Sequence, residues 1–318
     1  MARTSMNTVI NALGEQYEYV SLAFIDNEND LKAFMKDKPD IAIMGRKRTI
    51  QLAREGTASE LQKLSLTHYF EEANVNFLGS SAQAMALQLD KPVAKQKIID
   101  SGLNSARYVV AYADQPAPVH SLRFPLFVKP VRGGGSKGVD EASIVHTEEA
   151  LVAKVAFIHE NFETDALIEE YLPGREFSVA VVRNQGSGTL RAMPIELLMP
   201  TDVRGNSFLS KSVKKADTER AVAISDPELK ERVSSIAINS FLALGASDYG
   251  RIDVRLDSQG DPSFIEANLN PGLSMNGYLS RCFYLNEQIN YQSMITTIVN
   301  LGLENVADRT RVTQLVAQ

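Results

Sequence analysis

The sequence is short of several things, and each shortage removes a class of function. It has 318 residues and one cysteine, Cys282. A lone cysteine excludes an internal disulfide and a multi-cysteine zinc site, and suits a reducing, cytoplasmic setting. Positive charge is in deficit: 33 Lys and Arg stand against 39 Asp and Glu, for a net charge of −6. No global basic field therefore steers the chain to nucleic acid or to an anionic membrane, and any polyanion must meet a local basic site. Apolar runs fall well short of the roughly 20 residues of a membrane span. The first residues, "MARTSMNTVINALGEQYEY", lack the apolar stretch and small-residue cleavage site of a signal peptide. There is no internal repeat and no low-complexity tract. The four histidines, His68, His120, His146 and His159, are scattered without ligand spacing.

What remains is the composition of a soluble globular protein, 44% apolar and 23% charged. The length calls for two or three compact units. "NDLKAFMKDK" puts Leu31, Phe34 and Met35 on one helical face, and "DIAIMG" and "VNFLGSS" read as short strands. Helices are expected near residues 82–89 and 93–101, followed by strands at "RYVVAYA" and "FPLFVKP". Thr147 caps a helix whose apolar stripe is Leu151, Val155 and Ile158. "DALIEEYLPGREFSVAVV" supplies a strand, a Pro173-Gly174 turn and another strand. The charged stretch "PTDVRGNSFLSKSVKKADTERAVAIS" reads as a long surface loop of the kind that serves as a lid. "SDPELKERVSSIAINSFLALG" is the clearest helix, capped at Ser225 or Asp226 and ended by Gly245.

Three stretches carry chemistry. In "GRIDVRLDSQGDPSFIEANLNPGLS", period-2 alternation puts Arg251, Asp253 and Arg255 on one strand face. Phe264, Glu266 and Asn268 would share a face of the returning strand, opposite Ile265 and Ala267. If the strands pair, Asp253, Glu266 and Asn268 converge as hard oxygen donors suited to Mg²⁺ shared with phosphate, and unsuited to zinc. Arg251 beside them suits a developing negative charge. In "LFVKPVRGGGSKG", Lys129 ends a strand at a glycine loop able to approach phosphate, although the order is not that of a Walker A loop. In "LIEEYLPGREF", Glu169 and Glu176 flank a turn and offer acceptors of the kind that suit an adenine amine and ribose hydroxyls. Taken singly, a solvated hairpin, a flexible turn and surface salt bridging account for the same residues.

Together with "DKPVAK", these stretches stand in the order and spacing of ATP-grasp ligases, and the chain most resembles D-alanine–D-alanine ligases from about residue 40 onward. The resemblance implies an α/β (α+β) ATP-grasp fold with ATP sandwiched between two antiparallel sheets. It implies three domains, 1–80, 81–171 and 172–318. It implies transfer of the γ-phosphoryl group of ATP to a carboxylate, then attack by an amine on the acyl phosphate. The matching positions make Lys95 and Lys129 the phosphate lysines, with Ser136 in the glycine loop. They make Glu169 and Leu172 the adenine contacts and Glu176 the ribose contact. Asp253, Glu266 and Asn268 become ligands of two Mg²⁺ ions, with Mn²⁺ as a substitute. Arg251 and the Gly272 N–H become oxyanion stabilisers, and Lys211 the lid lysine. The implied partners are ATP, a small carboxylate and an amine, with a homodimer expected.

Departures gather on the substrate side. The chain opens at what resembles the family's first helix, so the preceding strand and its glutamate have no counterpart. Gly135-Ser136 stands for two serines, Ser212 for a tyrosine, and Asn276-Gly277 near a carboxylate-binding serine. The expectation is an acid–amino-acid ligase whose substrates are not two D-alanines. The alternatives are a D-alanine–D-alanine ligase proper and a non-catalytic nucleotide-binding protein. Cys282 is expected as a packed side chain, not a nucleophile.

Overall fold

The computed structural model describes the chain except residues 1–2, 26, 38, 46–49, 53–61, 116–117, 119, 134–135, 210–212, 214–215, 217 and 317–318. The N-terminal part holds α1 (Arg3–Gly14), α2 (Glu28–Lys36), the short pair β1 (Ile50–Leu52) and β2 (Gln62–Leu64), and α3 (Leu66–Glu72). Helix α2 starts where Asn27 and Asp30 cap each other's backbone N–H groups. A small core of Leu31, Ala42, Met44 and Phe70 closes this part. The strands expected at "DIAIMG" and "VNFLGSS" reduce to a single parallel bridge between Ala42 and Phe77. Ala42 and Met44 are buried there and Ile41 and Ile43 half-buried, but too few backbone groups pair to make a strand.

Next come α4 (Ala82–Leu89), α5 (Lys91–Asp100), β3 (Tyr108–Ala111), β4 (Leu126–Pro130), β5 (Ile144–Val145), α6 (Glu148–Phe162) and β6 (Ala166–Glu170). The four strands form one antiparallel sheet in the order β3-β6-β4-β5. Alternation divides its faces. Leu126, Val128, Ala166 and Ile168 pack on Leu151 and Ile158 of α6. Phe127, Lys129 and Glu169 therefore face the other way. Thr147 caps α6 by accepting from the Ala150 N–H at 3.3 Å, as the sequence predicts.

The remainder is built on β7 (Glu176–Arg183), β8 (Leu190–Leu198), β9 (Arg220–Ala223), α7 (Pro227–Ala243), β10 (Tyr249–Leu256), β11 (Pro262–Asn268), α8 (Tyr278–Glu287) and α9 (Tyr291–Val316). Its five strands run antiparallel in the order β11-β10-β7-β8-β9. Helix α7 covers one face, packing Leu229, Val233, Ile236 and Phe241 onto Phe177, Val179, Val181, Ile252 and Val254. Each such fully buried side chain contributes about 1.5–3 kcal/mol. Helices α8, α9 and α1 cover the opposite face through Phe283, Ile295, Ile298 and Leu13, against Ala180, Val182 and Met193. The central strands are buried on both sides, which is why "FSVAVV" carries almost nothing polar.

Two expectations are corrected. The stretch read wholly as a surface loop ends in β9, which pairs with β8 from Ile195↔Ala223 to Leu198↔Arg220. The weak apolar signal "RAVA" is that of an edge strand with one neighbour. The face assignment of Phe264 is also wrong. Asp253 pairs with Glu266 but Val254 pairs with Phe264, so Ile265 is a β-bulge. One extra residue reverses the alternation. Phe264 joins the α7 core, while Ile265 faces the same side as Glu266. Among the described residues, no helix is long and apolar enough to cross a membrane.

Candidate active site

The cleft face of the four-stranded sheet and the hairpin end of the five-stranded sheet line a cavity of about 120 Å³ that opens to solvent. Its walls bring together Lys95, Lys129, Ser136, Glu169, Leu172, Glu176, Asp253 and Glu266. Phe127, Phe208 and Ile265 add apolar surface. Arg251, Asn268 and Gly272 lie beyond this cavity. Arg251 and Asn268 are register partners at the end of the hairpin, and Gly272 is an exposed residue four positions past β11. Lys211 and Ser212 fall outside the described residues.

On the four-stranded side the centre is Glu169. Its Oε1 lies 2.6 Å from Lys95 Nζ, and its Oε2 lies 2.6 Å from Lys129 Nζ. All three side chains are buried; Lys95 is 1% exposed. Lys95 arrives from the second turn of α5 and also donates to Ser105 Oγ at 2.7 Å, which in turn donates to the Phe264 carbonyl. Burial alone would push the Glu169 carboxyl upward, but the two ammonium groups outweigh it and hold it below the usual range. Burial is also the largest influence on both lysines. It pulls Lys95 down, whereas for Lys129 the charges of Glu169 and Glu266 prevail and push it up. One carboxylate thus serves two cations, leaving net positive charge facing the cleft.

Lys91 was not singled out from the sequence, although it stands one helical turn before Lys95 in the quoted motif. Its ammonium donates to the carbonyls of Pro130, Val131 and Gly133 at 3.0, 3.3 and 3.0 Å. It thereby ties α5 to the entry of the glycine loop. Burial pulls it down to about 8. Ser136, at the far side of that loop, donates to the Leu209 carbonyl at 3.1 Å. The loop is therefore joined to the segment before Lys211.

On the five-stranded side, Arg255 Nη1 meets Glu176 Oε2 at 2.8 Å, and Arg255 Nη2 donates to the Tyr171 hydroxyl at 2.8 Å. That hydroxyl donates to the Ser207 carbonyl and accepts from the Ser207 N–H. Glu176, expected as a ribose acceptor, is thus held by an arginine from the next strand. Asp253 receives a two-pronged contact from Arg251, Nε to Oδ1 at 3.0 Å and Nη2 to Oδ2 at 2.9 Å. Ser178 of β7 adds a third bond at 2.8 Å. The Ser178 partner was invisible in the sequence because it depends on the β7–β10 register. Burial pulls Arg251 down, but the adjacent carboxylate more than reverses this. Burial pushes the Cys282 thiol up to about 12, consistent with a packed side chain.

Three oxygen-bearing side chains, Asp253, Glu266 and Asn268, stand on facing positions of one antiparallel pair. Directly opposite Cβ atoms in such a pair lie roughly 5 Å apart. No group of three or more His, Cys, Asp or Glu that could alone hold a metal occurs among the described residues. Two carboxylates and a carboxamide fit a hard cation that completes its shell with phosphate oxygens and water, not a closed protein cage.

Residues 102–300, more than half of the chain, match the family described as D-ala D-ala ligase C-terminus. D-alanine–D-alanine ligase A of Escherichia coli is 28% identical over 254 residues, covering 76% of this chain and 66% of that protein. The matched part thus spans just under two thirds of that relative. The ligase A of Chromobacterium violaceum is 32% identical over 249 residues, covering 76% of this chain and 65% of that protein. Among solved structures, the D-alanine–D-alanine ligase of Bacillus anthracis complexed with ATP superposes with a TM-score of 0.73. It is 22% identical and covers 96% of this chain and 93% of that one. The VanG D-Ala:D-Ser ligase of Enterococcus faecalis gives 0.61 at 22% identity, covering 83% and 73%. With both sheets and the cleft between them accounted for, the fold is ATP-grasp and the chain belongs to the D-ala D-ala ligase C-terminus family.

Proposed function

We propose that this chain is an ATP-dependent, ADP-forming carboxylate–amine ligase. The observation that carries the reading is the single cleft in which Lys95, Lys129 and Glu169 of one sheet face Asp253 and Glu266 of the other. Cationic tips on one wall and hard oxygen donors on the opposite wall suit a nucleoside triphosphate lying between them. Phosphoryl transfer asks the protein for positioning and charge neutralisation.

In this reading Phe127, Phe208, Leu172 and Ile265 enclose the base, Glu169 and Glu176 accept from adenine and ribose, and Lys95 and Lys129 take the phosphates. Glu169 keeps acceptor capacity beyond its two lysine bonds, because an ionised carboxylate has about four lone-pair sites. Asp253, Glu266 and Asn268 would hold Mg²⁺, which supplies charge neutralisation at the phosphates. A substrate carboxylate oxygen bonds to the γ-phosphorus as the bond to ADP breaks. An amine nitrogen then adds to the acyl carbon, loses its proton, and phosphate departs. Arg251 and the Gly272 N–H stabilise the oxyanion, and Lys211 closes the site. The units would be divided as 1–80, 81–171 and 172–318.

For the substrates, two D-alanines are the first pair to test, since the curated relatives named above are D-alanine–D-alanine ligases. A different pair rests on the sequence alone, where Asn276-Gly277 stands near the position of the family's carboxylate-binding serine. The experiment is ADP release with Mg²⁺ and ATP over a panel of D- and L-amino acids, with products identified by mass. Turnover with D-alanine alone discards the second pair. No ADP with any pair, while a non-hydrolysable ATP analogue binds, discards the ligase and leaves a nucleotide-binding protein.

A further inference from the structure

Tyr278 begins α8 beside the hairpin and is used by none of the roles above. The Arg251 guanidinium lies 5.3 Å from its ring centroid, and the Arg281 guanidinium lies 5.6 Å from it. Both are within the ~6 Å over which a cation is attracted to a ring face. The Tyr278 hydroxyl donates to Glu219 Oε1 at 2.7 Å, and Arg281 Nη1 stands 4.0 Å from the same oxygen. Glu219 is only 5% exposed in its side chain, and among the described residues its Oε2 has no hydrogen-bond partner. A buried carboxylate oxygen without a donor is costly to keep. It is retained here immediately before β9, where its one close bond fixes the orientation of an aromatic ring.

That ring acts on Arg251. The arginine side chain is 12% exposed, and among the described residues its hydrogen bonds go to Asp253. Asp253 is also one of the oxygen donors that fit a cation. When its oxygens serve a cation, the two-pronged contact weakens, and the guanidinium needs another restraint to stay where it is. We propose that Tyr278, oriented by Glu219, is a positioning residue that holds Arg251 in place independently of Asp253. The kinetic consequence rests on the ligase reading; the positional one does not. A leucine at 278 fills space but has no ring quadrupole, and a phenylalanine keeps the ring but loses the Glu219 bond.

The test is proton exchange of the Arg251 Nε–H by nitrogen-15 NMR of the nucleotide-free protein, read both with Asp253 intact and in an Asp253→Ala background that removes the acceptor of that N–H, with the signal assigned by its loss in Arg251→Lys. Exchange is expected to speed up roughly 30-fold in Tyr278→Leu, the size of a desolvated cation–π contact. It should speed up by a smaller factor in Tyr278→Phe and Glu219→Gln. In the assay of ADP release, the same variants should lose kcat with the KM for ATP within about twofold, whereas a purely structural role would lower the melting temperature and leave kcat per folded molecule intact. Unchanged exchange in the folded variants overturns the proposal, as does a raised KM at full kcat. If Tyr278→Leu does not fold, Tyr278→Phe and Glu219→Gln carry the same two measurements. If wild type forms no ADP, the ligase reading falls and the exchange measurement still decides the positioning.

Discussion

Glu169→Gln is the substitution whose effect the structure fixes most tightly. The wild-type carboxylate meets two buried ammonium groups at 2.6 Å each. Glutamine keeps the shape but removes the charge, and it turns an amide NH₂ toward one of the lysines. Two like charges are then left facing each other out of water. Breaking one buried pair by removing a partner costs about 3–5 kcal/mol, so the variant should lose at least the lower figure in the absence of nucleotide. At 2–4 °C per kcal/mol for chains of 150–250 residues, the midpoint falls by roughly 6 °C or more. The triple replacement Lys95→Met, Lys129→Met, Glu169→Leu should regain most of that loss, because exchanging a whole buried ionic group for apolar side chains is often neutral or stabilising. It should also abolish binding of an ATP analogue. Thermal melts followed by circular dichroism decide it: a single variant within 1 °C of wild type, or a triple variant no better than the single one, refutes the reasoning.

The same triad predicts the acid limb of stability. Glu169 has its folded pKa below the unfolded carboxylate value. Its contribution is therefore present above the unfolded pKa, near 4.3, and is lost as pH falls through the lower folded value. Glu169→Gln should lose that part of the acid transition, which a pH series of melts would show.

Lys91 gives the alkaline counterpart. Burial lowers it to about 8, so the folded chain holds fewer protons than the unfolded one between about 8 and 10.5, and this group's contribution to stability rises with pH in that window. A neutral amine can donate to only two of the three carbonyls it now serves, so ATP-analogue affinity should fall as pH passes 8, and Lys91→Met should erase the step in a calorimetric titration. Gly174→Ala would place a Cβ 2.6 Å from both the Cβ and the carbonyl oxygen of Leu256. Backbone cannot rotate away, so a loss of about 1–3 kcal/mol is expected in a denaturant titration. Arg255→Lys leaves one ammonium where Glu176 and Tyr171 now share a forked guanidinium. Weaker analogue binding, roughly tenfold, is expected from the loss of the second arm; equal affinity would place the ribose elsewhere.

How far the sequence can be read depends on the range of the interaction involved. Helix α7 and the Thr147 cap were legible because their signals lie within a few residues: Asp226 accepts from the Glu228 and Leu229 N–H groups, and Gly245 ends the helix at φ +66°. The pairing of β10 with β11 was legible because a short turn joins them. The bulge at Ile265 was not, since "PSFIEAN" alternates equally well in either register and only the core across the sheet, where Phe264 is buried with Val254, selects one. That choice has a chemical effect. With strict alternation from Asp253–Glu266 pairing, Val254 would face Ile265 and Phe264 would share the cleft side with Glu266. The extra residue sends the ring into the core and leaves Ile265 lining the cleft beside the carboxylate. The partners of the site residues were hidden for the same reason: Ser178 on Asp253, Ser105 on Lys95 and Tyr171 on Arg255 span 75, 10 and 84 positions. Motifs name the groups that meet a ligand, whereas the groups that hold them still are set by register across two sheets. Changing the bulge should therefore separate the two. Deleting Ile265 would leave Val254 opposite Phe264 and Asp253 opposite Glu266 in unbroken register, so the core and the carboxylate pair should both survive while the cleft loses one apolar wall; a melting midpoint near wild type with weaker ATP-analogue binding is expected, and a collapse of stability would refute this register.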